Sequence, residues 1–344
     1  MKQYAKILKE ILSDGSIKPP AREGLPSTLS VFGKSIVIKN NEFPILMGKK
    51  VLTNNVISEL IWFLKGKTNI NFLHKYNNHI WDDDAYRYYR ELGGGLDFEE
   101  WMSMVSQAHT ACHNISEPAD ITEDYEYGDC GRIYGFQWRE QGRYNVEYYD
   151  NLGTNRKHVD QIKQLVEGLI HNPFSRYHIV DAWNWQDYNE HHQALPACHN
   201  FFQCNVREYG CRGRYLDIFV YQRSCDMFLG VPYDLLSYGI LHRILCRVTG
   251  YHLGTFTWTG GDCHIYKNQI DAVNEYLKRV DNKLPANITQ CSIAINGGID
   301  MDNPIDVINS IEVEDITLIN YNPLSYIKAP LNTGVNKYRK DENS

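Results

Sequence analysis

The chain has 344 residues, with 42 aspartates and glutamates against 35 lysines and arginines, so its formal net charge is −7 at neutral pH. This balance disfavours a nonspecific nucleic-acid binder, which needs a basic surface to displace counterions from phosphates. Hydrophobic residues make up 43% of the chain, enough for a substantial core, which argues against a disordered protein. One large domain or two smaller ones fit this length.

The sequence contains no apolar run of the roughly 18 residues that a membrane-spanning helix requires. Its first segment is amphipathic and lacks the apolar centre and small-residue cleavage site of a secretory signal. We therefore expect a cytoplasmic protein without membrane or nucleic-acid partners. The nine cysteines include no C-x-x-C pair of the kind that binds zinc or exchanges disulfides, so most are expected to be packed thiols.

Apolar spacing predicts the first elements of secondary structure in chain order. An initial helical segment ends at the glycines and prolines of residues 15–26, and alternation over Ser30–Lys39 predicts a strand. Residues Asn55–Lys65 carry apolar side chains at helical spacing and are predicted to form a buried helix. Residues at about 85–130 are interpreted as an inserted helix bounded by loops, because the patterns on either side resume without them.

Strand-like runs concentrate in the middle of the chain, and they are Tyr177–Trp185, His199–Val206, Tyr215–Tyr221 and residues 255–266. The longest helical pattern is Asp234–Gly250, where the glycine supplies a stop. This order predicts an α+β fold with helices on one face of an antiparallel or mixed sheet. A second copy of the chain is the natural cover for the other face. Only residues 332–344 look like a solvated tail.

Two short segments of the sequence hold candidate chemistry. Cys198 follows a proline turn in LPACHNFFQ and directly precedes His199. Most adjacent Cys–His pairs in proteins are structural, so this pair alone is a weak signal of a catalytic thiol. The segment YQRSCDMFLGVPYD groups four polar residues, Gln222, Arg223, Ser224 and Asp226. The simplest interpretation of this polar group is a solvated loop. An arginine directly after an aromatic strand is also what an anion-binding or thiolate-activating site needs.

A third segment, TWTGGDCHIYKNQ, contains Gly260 and Gly261, which are predicted to permit a tight bend that presents Asp262. Strand alternation then places His264 and Tyr266 on one face as a pair of hydrogen-bonding groups. With SELIWFL, IYGFQWR and the late IKAP, the three segments resemble the thymidylate synthase family in order and at compatible spacings. The resemblance covers roughly residues 20–331. It implies a single catalytic domain over 1–331 with the thymidylate synthase-like fold.

The resemblance implies a homodimer that transfers a one-carbon unit from 5,10-methylenetetrahydrofolate to C5 of a pyrimidine nucleotide, with no metal. Cys198 would be the nucleophile that adds to C6 of the base, which makes C5 able to attack the folate methylene. Arg223 would bind phosphate beside the thiolate and keep it ionised. Glu59 would organise proton transfer at the ring, with Tyr134 and His199 in the same network.

The remaining roles implied by the resemblance are in binding. Ser224 and Arg22 would help to hold the phosphate, and His264 and Tyr266 would hold the sugar 3′-hydroxyl. The folate would contact Asp226 and Trp81, with Lys49 at its glutamate tail. Arg176 would reach across the dimer to the partner's phosphate. Gln222 would contact the substrate. Taken singly, Glu59 could be a solvated helix residue, Trp81 and Tyr134 core aromatics, and Lys49 a surface charge.

One departure from the family concerns the base. In thymidylate synthases an asparagine amide after the L-G-x-P turn pairs with uracil, whereas GVPYDLL places Asp234 there. An ionised carboxylate only accepts hydrogen bonds and repels uracil O4, but it suits the 4-amino group of cytosine with a protonated N3 or a shared proton. The sequence therefore favours a cytidylate, as in the deoxycytidylate hydroxymethylase branch. The alternative is that Asp234 only caps the following helix.

Three further departures accompany this one. The chain continues beyond Ile327–Pro330, so a terminal carboxylate cannot seal the folate site as it does in the family. Asp84 stands where many synthases have a second tryptophan, and both changes favour a wetter site and a hydroxymethyl product. Tyr177 follows Arg176 where the family usually has two arginines, which puts the intersubunit half of the phosphate site and the sugar preference in question.

The leading hypothesis from sequence is thus a deoxycytidylate (dCMP) hydroxymethylase. The alternatives are a dCMP C5-methyltransferase, a CMP hydroxymethylase and an ordinary thymidylate synthase that acts on dUMP. A homologue that has lost catalysis and acts as an RNA-binding or regulatory protein is the alternative of another class. The retained Cys198, Arg223 and Glu59 and the net charge of −7 argue against it.

Overall fold

The computed structural model describes residues 2–107, 126–142, 158–283, 291–296 and 303–334. The helices within these ranges are α1 (Lys2–Asp14), α2 (Thr53–Leu64), α3 (Asn71–His74), α4 (Asp82–Glu91), α5 (Phe98–Gln107), α6 (Tyr134–Glu140), α7 (Gln161–His171), α8 (Trp185–Asn189), α9 (Gly230–Thr249), α10 (Ile270–Lys283) and α11 (Pro304–Ser310). None of them is long and apolar enough to cross a membrane.

The strands are β1 (Ser16–Lys18), β2 (Thr28–Ile38), β3 (Ile179–Asp181), β4 (His199–Glu208), β5 (Arg214–Asp226), β6 (His252–Tyr266), β7 (Ser292–Ile295) and β8 (Ile316–Ile319). The first six form one sheet in the order β1-β2-β6-β5-β4-β3, and β7 pairs with β8. Strands β5 and β6 are parallel and the other pairs are antiparallel, so the predicted mixed α+β architecture is confirmed.

Cross-strand rows show that the two faces of the large sheet differ. One row runs through Ile36, Trp258, Val220, Phe202 and Val180, and every member is buried. The next row runs through Val37, Thr257, Phe219, Gln203 and Ile179, and every member is exposed or half-buried. Because paired residues share a face, the core lies on the first side, against α9, and apolar side chains remain on the other.

Several sequence-based boundaries differ from the observed ones. The run Tyr177–Trp185 contains only the short strand β3, because Asn184 caps α8 by accepting hydrogen bonds from the backbone of Gln186 and Asp187. The segment at 85–130 holds two helices, α4 and α5, where one was expected. Trp101 of α5 is fully buried, so this part of the chain contributes to the core; residues 108–125 lie outside the described residues.

Gly260 and Gly261 do not form the predicted bend, because both lie inside the continuous strand β6. A Cβ atom on Gly261 would lie 3.0 Å from the Arg223 carbonyl oxygen, and one on Gly260 would lie 2.6 Å from the Cys263 sulfur. The two glycines therefore permit close approach of neighbouring groups. They bring β6 tightly against the end of β5, where Arg223 lies.

Helix α9 begins at Gly230, four residues before the predicted start at Asp234, and ends at Gly250 as predicted, with a left-handed φ of 69°. Asp234 is thus in the helix interior. Its carboxyl oxygen Oδ2 accepts a hydrogen bond from Gln222 Nε2 at 2.8 Å. The helix-cap interpretation of Asp234 is therefore wrong.

The first residues of the predicted tail pack onto the folded body. Thr333 is buried and its hydroxyl donates to Asp83 Oδ2 at 3.0 Å, while Asn332 exchanges side-chain hydrogen bonds with Asn268. The solvated-tail interpretation is thus wrong for residues 332–334. The rest of that segment lies outside the described residues.

Candidate active site

The register of the sheet brings the three polar sequence segments together. His199 at the start of β4 pairs with Gln222 on β5. On the other side of β5, Ser224 pairs with Asp262 and Asp226 pairs with His264 on β6. Segments separated by tens of residues in sequence therefore meet at one end of three adjacent strands.

Cys198 lies in contact with Arg223 and Tyr134 at this end of the sheet. The Arg223 guanidinium donates from Nη2 to the Pro196 carbonyl and from Nε to the Ala197 carbonyl, both at 2.8 Å, and its backbone N–H donates to the Cys198 carbonyl at 2.7 Å. The Cys198 N–H donates to the Tyr134 hydroxyl at 2.6 Å. Burial raises the pKa of the Cys198 thiol, and the Arg223 charge opposes this rise.

His199 is enclosed by aromatic groups. The Tyr134 ring stacks on it with 4.1 Å between centroids, and His199 Nδ1 lies 2.8 Å from the Tyr238 hydroxyl. Burial lowers the pKa of His199 to about 3, so the imidazole is neutral at physiological pH. A neutral imidazole serves as a hydrogen-bonding group here, not as a source of positive charge.

A directed hydrogen-bond chain fixes the surroundings of Asp234. Trp258 Nε1 donates to Gln222 Oε1 at 2.8 Å, which orients the Gln222 amide so that its NH₂ faces the Asp234 carboxyl. The other carboxyl oxygen, Oδ1, lies 3.9 Å from His199 Nε2. Oδ2 is therefore held as an acceptor. The sequence analysis did not select Trp258 as a site residue, although it lies in the segment TWTGGDCHIYKNQ.

Burial raises the pKa of Asp234 to about 8, and the nearby Glu59 carboxyl raises it further while the Gln222 hydrogen bond opposes the rise. Glu59 itself accepts a hydrogen bond from Trp81 Nε1 at 2.6 Å. Burial raises the pKa of Glu59 to about 7. Two half-buried carboxyls that hold protons near neutral pH provide a local store of protons for acid–base chemistry. Glu59 is thus not a solvated helix residue, while Trp81 is buried in the core, as the alternative interpretation of it expected.

Asp84 and Arg22 form the polar wall of the site nearest to α4. Asp84 Oδ1 accepts from Arg87 Nη2 at 2.7 Å and lies 3.9 Å from Arg22 Nη2. Burial raises the pKa of Asp84, and both arginines oppose the rise. A tryptophan at position 84 would remove this carboxylate. The departure at position 84 thus introduces a buried ion pair next to a predicted phosphate ligand.

Asp226 and Lys49 lie at the start of α9. Asp226 Oδ1 accepts backbone hydrogen bonds from Phe228 at 2.9 Å and Leu229 at 3.1 Å, and Oδ2 accepts from Gln269 Nε2 at 3.2 Å. Lys49 is buried. Its ammonium donates to the Phe228 carbonyl and lies 3.8 Å from the centre of the Phe228 ring. The surface-charge interpretation of Lys49 is therefore wrong. Burial lowers its pKa to about 8.

The other predicted binding residues occupy different positions around the site. The His264 and Tyr266 rings are in edge contact with 5.1 Å between centroids, as strand alternation predicts. Ser224 is half-buried beside the Gln222 amide, which donates to its carbonyl at 3.1 Å. Arg176 is exposed and is held through its own carbonyl, which accepts from Gln203 Nε2 at 3.3 Å. Gln203 lies on the uncovered sheet face, so Arg176 borders that face.

Similarity to known proteins extends over nearly the whole chain. The family model described as thymidylate synthase matches residues 2–333. A thymidylate synthase of Listeria monocytogenes serotype 4b (strain F2365) is 36% identical over 344 residues, covering 96% of this chain and 99% of the relative. One from Listeria innocua serovar 6a is 36% identical over 343 residues, with the same coverage. This chain belongs to the thymidylate synthase family of folate-dependent enzymes, which transfer a one-carbon unit to a pyrimidine nucleotide and are typically dimers.

Proposed function

We propose that the protein transfers a one-carbon unit from 5,10-methylenetetrahydrofolate to C5 of dCMP and releases 5-hydroxymethyl-dCMP. The observation that carries this proposal is the half-buried Asp234, whose Oδ2 is fixed as an acceptor by Gln222. The position that would read the pyrimidine thus holds a carboxyl group in a fixed orientation.

The raised pKa of Asp234 refines the argument made from sequence. At neutral pH this carboxyl holds a proton, because its pKa is about 8. A carboxylic acid offers one O–H donor and one acceptor, which match cytosine N3 and the cytosine 4-amino group. Transfer of that proton to N3 leaves a carboxylate facing two N–H donors, a charge-assisted pair. Uracil has no basic N3 to receive the proton.

The same proton assists the attack of Cys198. Addition of the thiolate to C6 places negative charge on the N3–C4 side of the ring, where a proton from Asp234 neutralises it. The Arg223 guanidinium, held on the Pro196 and Ala197 carbonyls, and the Arg22 charge both oppose the rise in the pKa of the thiol. Glu59, with a pKa near 7, is placed to accept and return a proton at the opposite end of the network. Tyr134 and His199 complete that network.

The proposed folate-binding residues fit the donor, which supplies the one-carbon unit when bound. Gln269 is fully buried, and its Oε1 has no hydrogen-bond partner among the described residues. Its NH₂ donates to Asp226. An unpaired buried acceptor beside a carboxylate suits the N–H-rich edge of a pterin ring, because unpaired buried polar groups cost free energy. Gln269 is a binding candidate that sequence reasoning missed, since nothing in its spacing distinguishes it.

The hydroxymethyl product depends on water at the transferred carbon. That carbon becomes hydroxymethyl if water adds to it, and methyl if the tetrahydrofolate left by the transfer gives it a hydride and is itself oxidised to dihydrofolate. Asp84 supports the first outcome, because its carboxylate and the neighbouring Arg22 form a polar wall that attracts water. The test variant is Asp84→Trp, which removes the carboxylate and is expected to shift the product from hydroxymethyl towards methyl.

We propose further that a second copy of the chain covers the exposed sheet face. Val37, Phe219 and Ile179 leave apolar surface there, and a self-complementary contact would bury it. Arg176 borders this face and is exposed, so its side chain is free to reach a phosphate held by the partner's Arg223. The adjacent Tyr177 is 89% exposed and lies on the same border.

The second candidate is ordinary thymidylate synthesis from dUMP, which the names of the Listeria relatives favour. A protonated Asp234 could also pair with uracil by donating to O4 and accepting from N3–H. A dCMP methyltransferase or a CMP hydroxymethylase would use the same base contacts and differ at the transferred carbon or the sugar.

Release of tritium from C5 of labelled dCMP, with and without methylenetetrahydrofolate, tests the proposal. The proposal predicts folate-dependent release from dCMP that exceeds release from labelled dUMP. Faster release from dUMP would favour thymidylate synthesis, and no release from either nucleotide would favour a homologue without catalysis.

A further inference from the structure

Two histidines and a carboxylate form a cluster outside the residues assigned to the active site. His74 ends α3, His79 lies in the following loop, and Asp82 begins α4. His74 Nε2 lies 2.8 Å from Asp82 Oδ1, and His79 Nδ1 lies 2.8 Å from Asp82 Oδ2. The two imidazole rings are 4.8 Å apart between centroids.

The donor atoms of this cluster match the preferences of a first-row transition metal. Two imidazole nitrogens and one carboxylate oxygen lie within 4.8 Å of one another. Zinc bonds to such donors at about 2.0–2.2 Å, which in a tetrahedral site separates neighbouring donors by about 3.3 Å. Each nitrogen–oxygen separation, now 2.8 Å, must therefore widen by about half an ångström, and the two nitrogens must take up a similar separation from each other, for an ion to fit. The two ligating nitrogens must carry no hydrogen, so each neutral imidazole carries its hydrogen on the other ring nitrogen when the ion is bound.

The loop that carries His79 is held by the core, so the three donors are already positioned. Asn78 is fully buried, and its NH₂ group donates to the Asn55 carbonyl at 3.1 Å and to the Ser58 hydroxyl at 3.0 Å. Asn77 takes a left-handed φ of 52°, which turns the chain between the two histidines. Pre-organised donors lose little entropy when an ion binds.

The site also has access from solvent. The His79 side chain is 55% exposed, while those of His74 and Asp82 are 18% and 10% exposed. An ion can therefore approach over His79 and retain water in an open coordination position. Zinc centres with three protein ligands and one water have this donor count.

We propose that His74, His79 and Asp82 bind a divalent first-row transition metal, with Zn²⁺ as the best chemical match. The ion joins α3, the loop after it and the first turn of α4. Trp81 immediately precedes Asp82 and bonds to Glu59, so the ion stiffens the support of the folate-facing wall. The proposed role of the ion is to join these elements, with water in its fourth coordination position.

Cobalt titration of the full chain, after removal of metals with a chelator, tests this proposal. Co²⁺ replaces Zn²⁺ and reports its ligands through visible absorption bands. The parent protein is expected to bind one ion per chain with nitrogen and oxygen ligands and without a sulfur-to-cobalt charge-transfer band. That last criterion separates this site from the exposed thiol of Cys211.

His79→Asn is the test variant, because its exposed ring can be removed without disturbing the core. The variant is expected to bind Co²⁺ at least about tenfold more weakly and to lose the rise in melting temperature that Zn²⁺ gives the parent. His171→Asn, which removes an exposed histidine at the end of α7, is the control and is expected to behave like the parent. Equal binding by the His79→Asn variant and the parent, or cobalt bands of thiolate character alone, would overturn the proposal.

Discussion

Replacement of the half-buried Asp234 by asparagine changes one carboxyl oxygen into an NH₂ group with almost no change in volume. The orientation of the new amide is fixed by the neighbours of Asp234. Trp258 holds the Gln222 NH₂ group towards position 234, so the asparagine oxygen must face Gln222. The asparagine NH₂ then takes the position of Oδ1, on the side of His199. A proton-bearing, ionisable group is replaced by a permanent donor.

The magnitude follows from the loss of the proton that Asp234 transfers to cytosine N3. A hydrogen bond to a charged group contributes about 1.5–3 kcal/mol against about 0.5–1.5 kcal/mol for a neutral one, and about 1.4 kcal/mol corresponds to a tenfold change. The amide cannot transfer a proton to cytosine N3, so the charge-assisted pair is lost and kcat/KM for dCMP falls. The amide still offers uracil a donor for O4 and an acceptor for N3–H, as the protonated carboxyl does, so kcat/KM for dUMP does not fall. The ratio of the two is expected to move by at least about tenfold towards dUMP.

Steady-state kinetics on both nucleotides at saturating folate measure this ratio. Asp234→Glu is the matched control, because it keeps the carboxyl group and is expected to lose activity without a change of preference. A melting curve and nucleotide-binding titration confirm that each variant is folded. An unchanged preference in Asp234→Asn would refute the cytidylate assignment, and the enzyme would then be an ordinary thymidylate synthase.

Three further predictions follow from the same site. Cys198→Ser is expected to lose all but a few per cent of turnover while binding nucleotide nearly as well, because a hydroxyl is a far weaker nucleophile than a thiolate; equilibrium dialysis and tritium release measure the two effects. Arg176→Ala is expected to weaken nucleotide binding, and mixing it with Cys198→Ser subunits should restore part of the activity, since one site per mixed dimer is intact; demonstrably mixed dimers without recovery would contradict the shared site. Above pH about 4, the free energy of unfolding is expected to fall with rising pH, by up to about 1.4 kcal/mol per pH unit for each carboxyl whose pKa is raised. The reason is that both carboxyls ionise in the unfolded chain above that pH, whereas folded Glu59 and Asp234 keep their protons up to their pKa values of about 7 and about 8. Glu59→Gln should reduce that slope up to pH about 7, and urea unfolding at several pH values would show whether it does.

The sequence predicted the fold better than it predicted the environment of each candidate site residue. Alternation correctly indicated β2 and the pairing of His264 with Tyr266, because strand periodicity depends on local spacing alone. It overextended β3, since the Asn184 cap depends on side-chain geometry. The start of α9 was missed because Gly230 and Pro232 read as a turn, although proline fits the first turn of a helix.

Burial explains what the sequence could not provide about the chemistry. Asp234 was expected to be an ionised acceptor, but the pKa of a carboxyl depends on its distance from water, which the sequence does not contain. Lys49 was weighed as a surface charge and is buried against Phe228. The Trp258–Gln222–Asp234 chain depends on the register between β5 and β6, so it could be found only in three dimensions.

The product formed from dCMP tests the central claim most directly. The purified enzyme is incubated with dCMP and methylenetetrahydrofolate, and the nucleotide is then analysed by mass spectrometry. The account predicts a nucleotide heavier than dCMP by one CH₂O unit, with no comparable product from dUMP. Formation of dTMP from dUMP with dCMP left unchanged would contradict it.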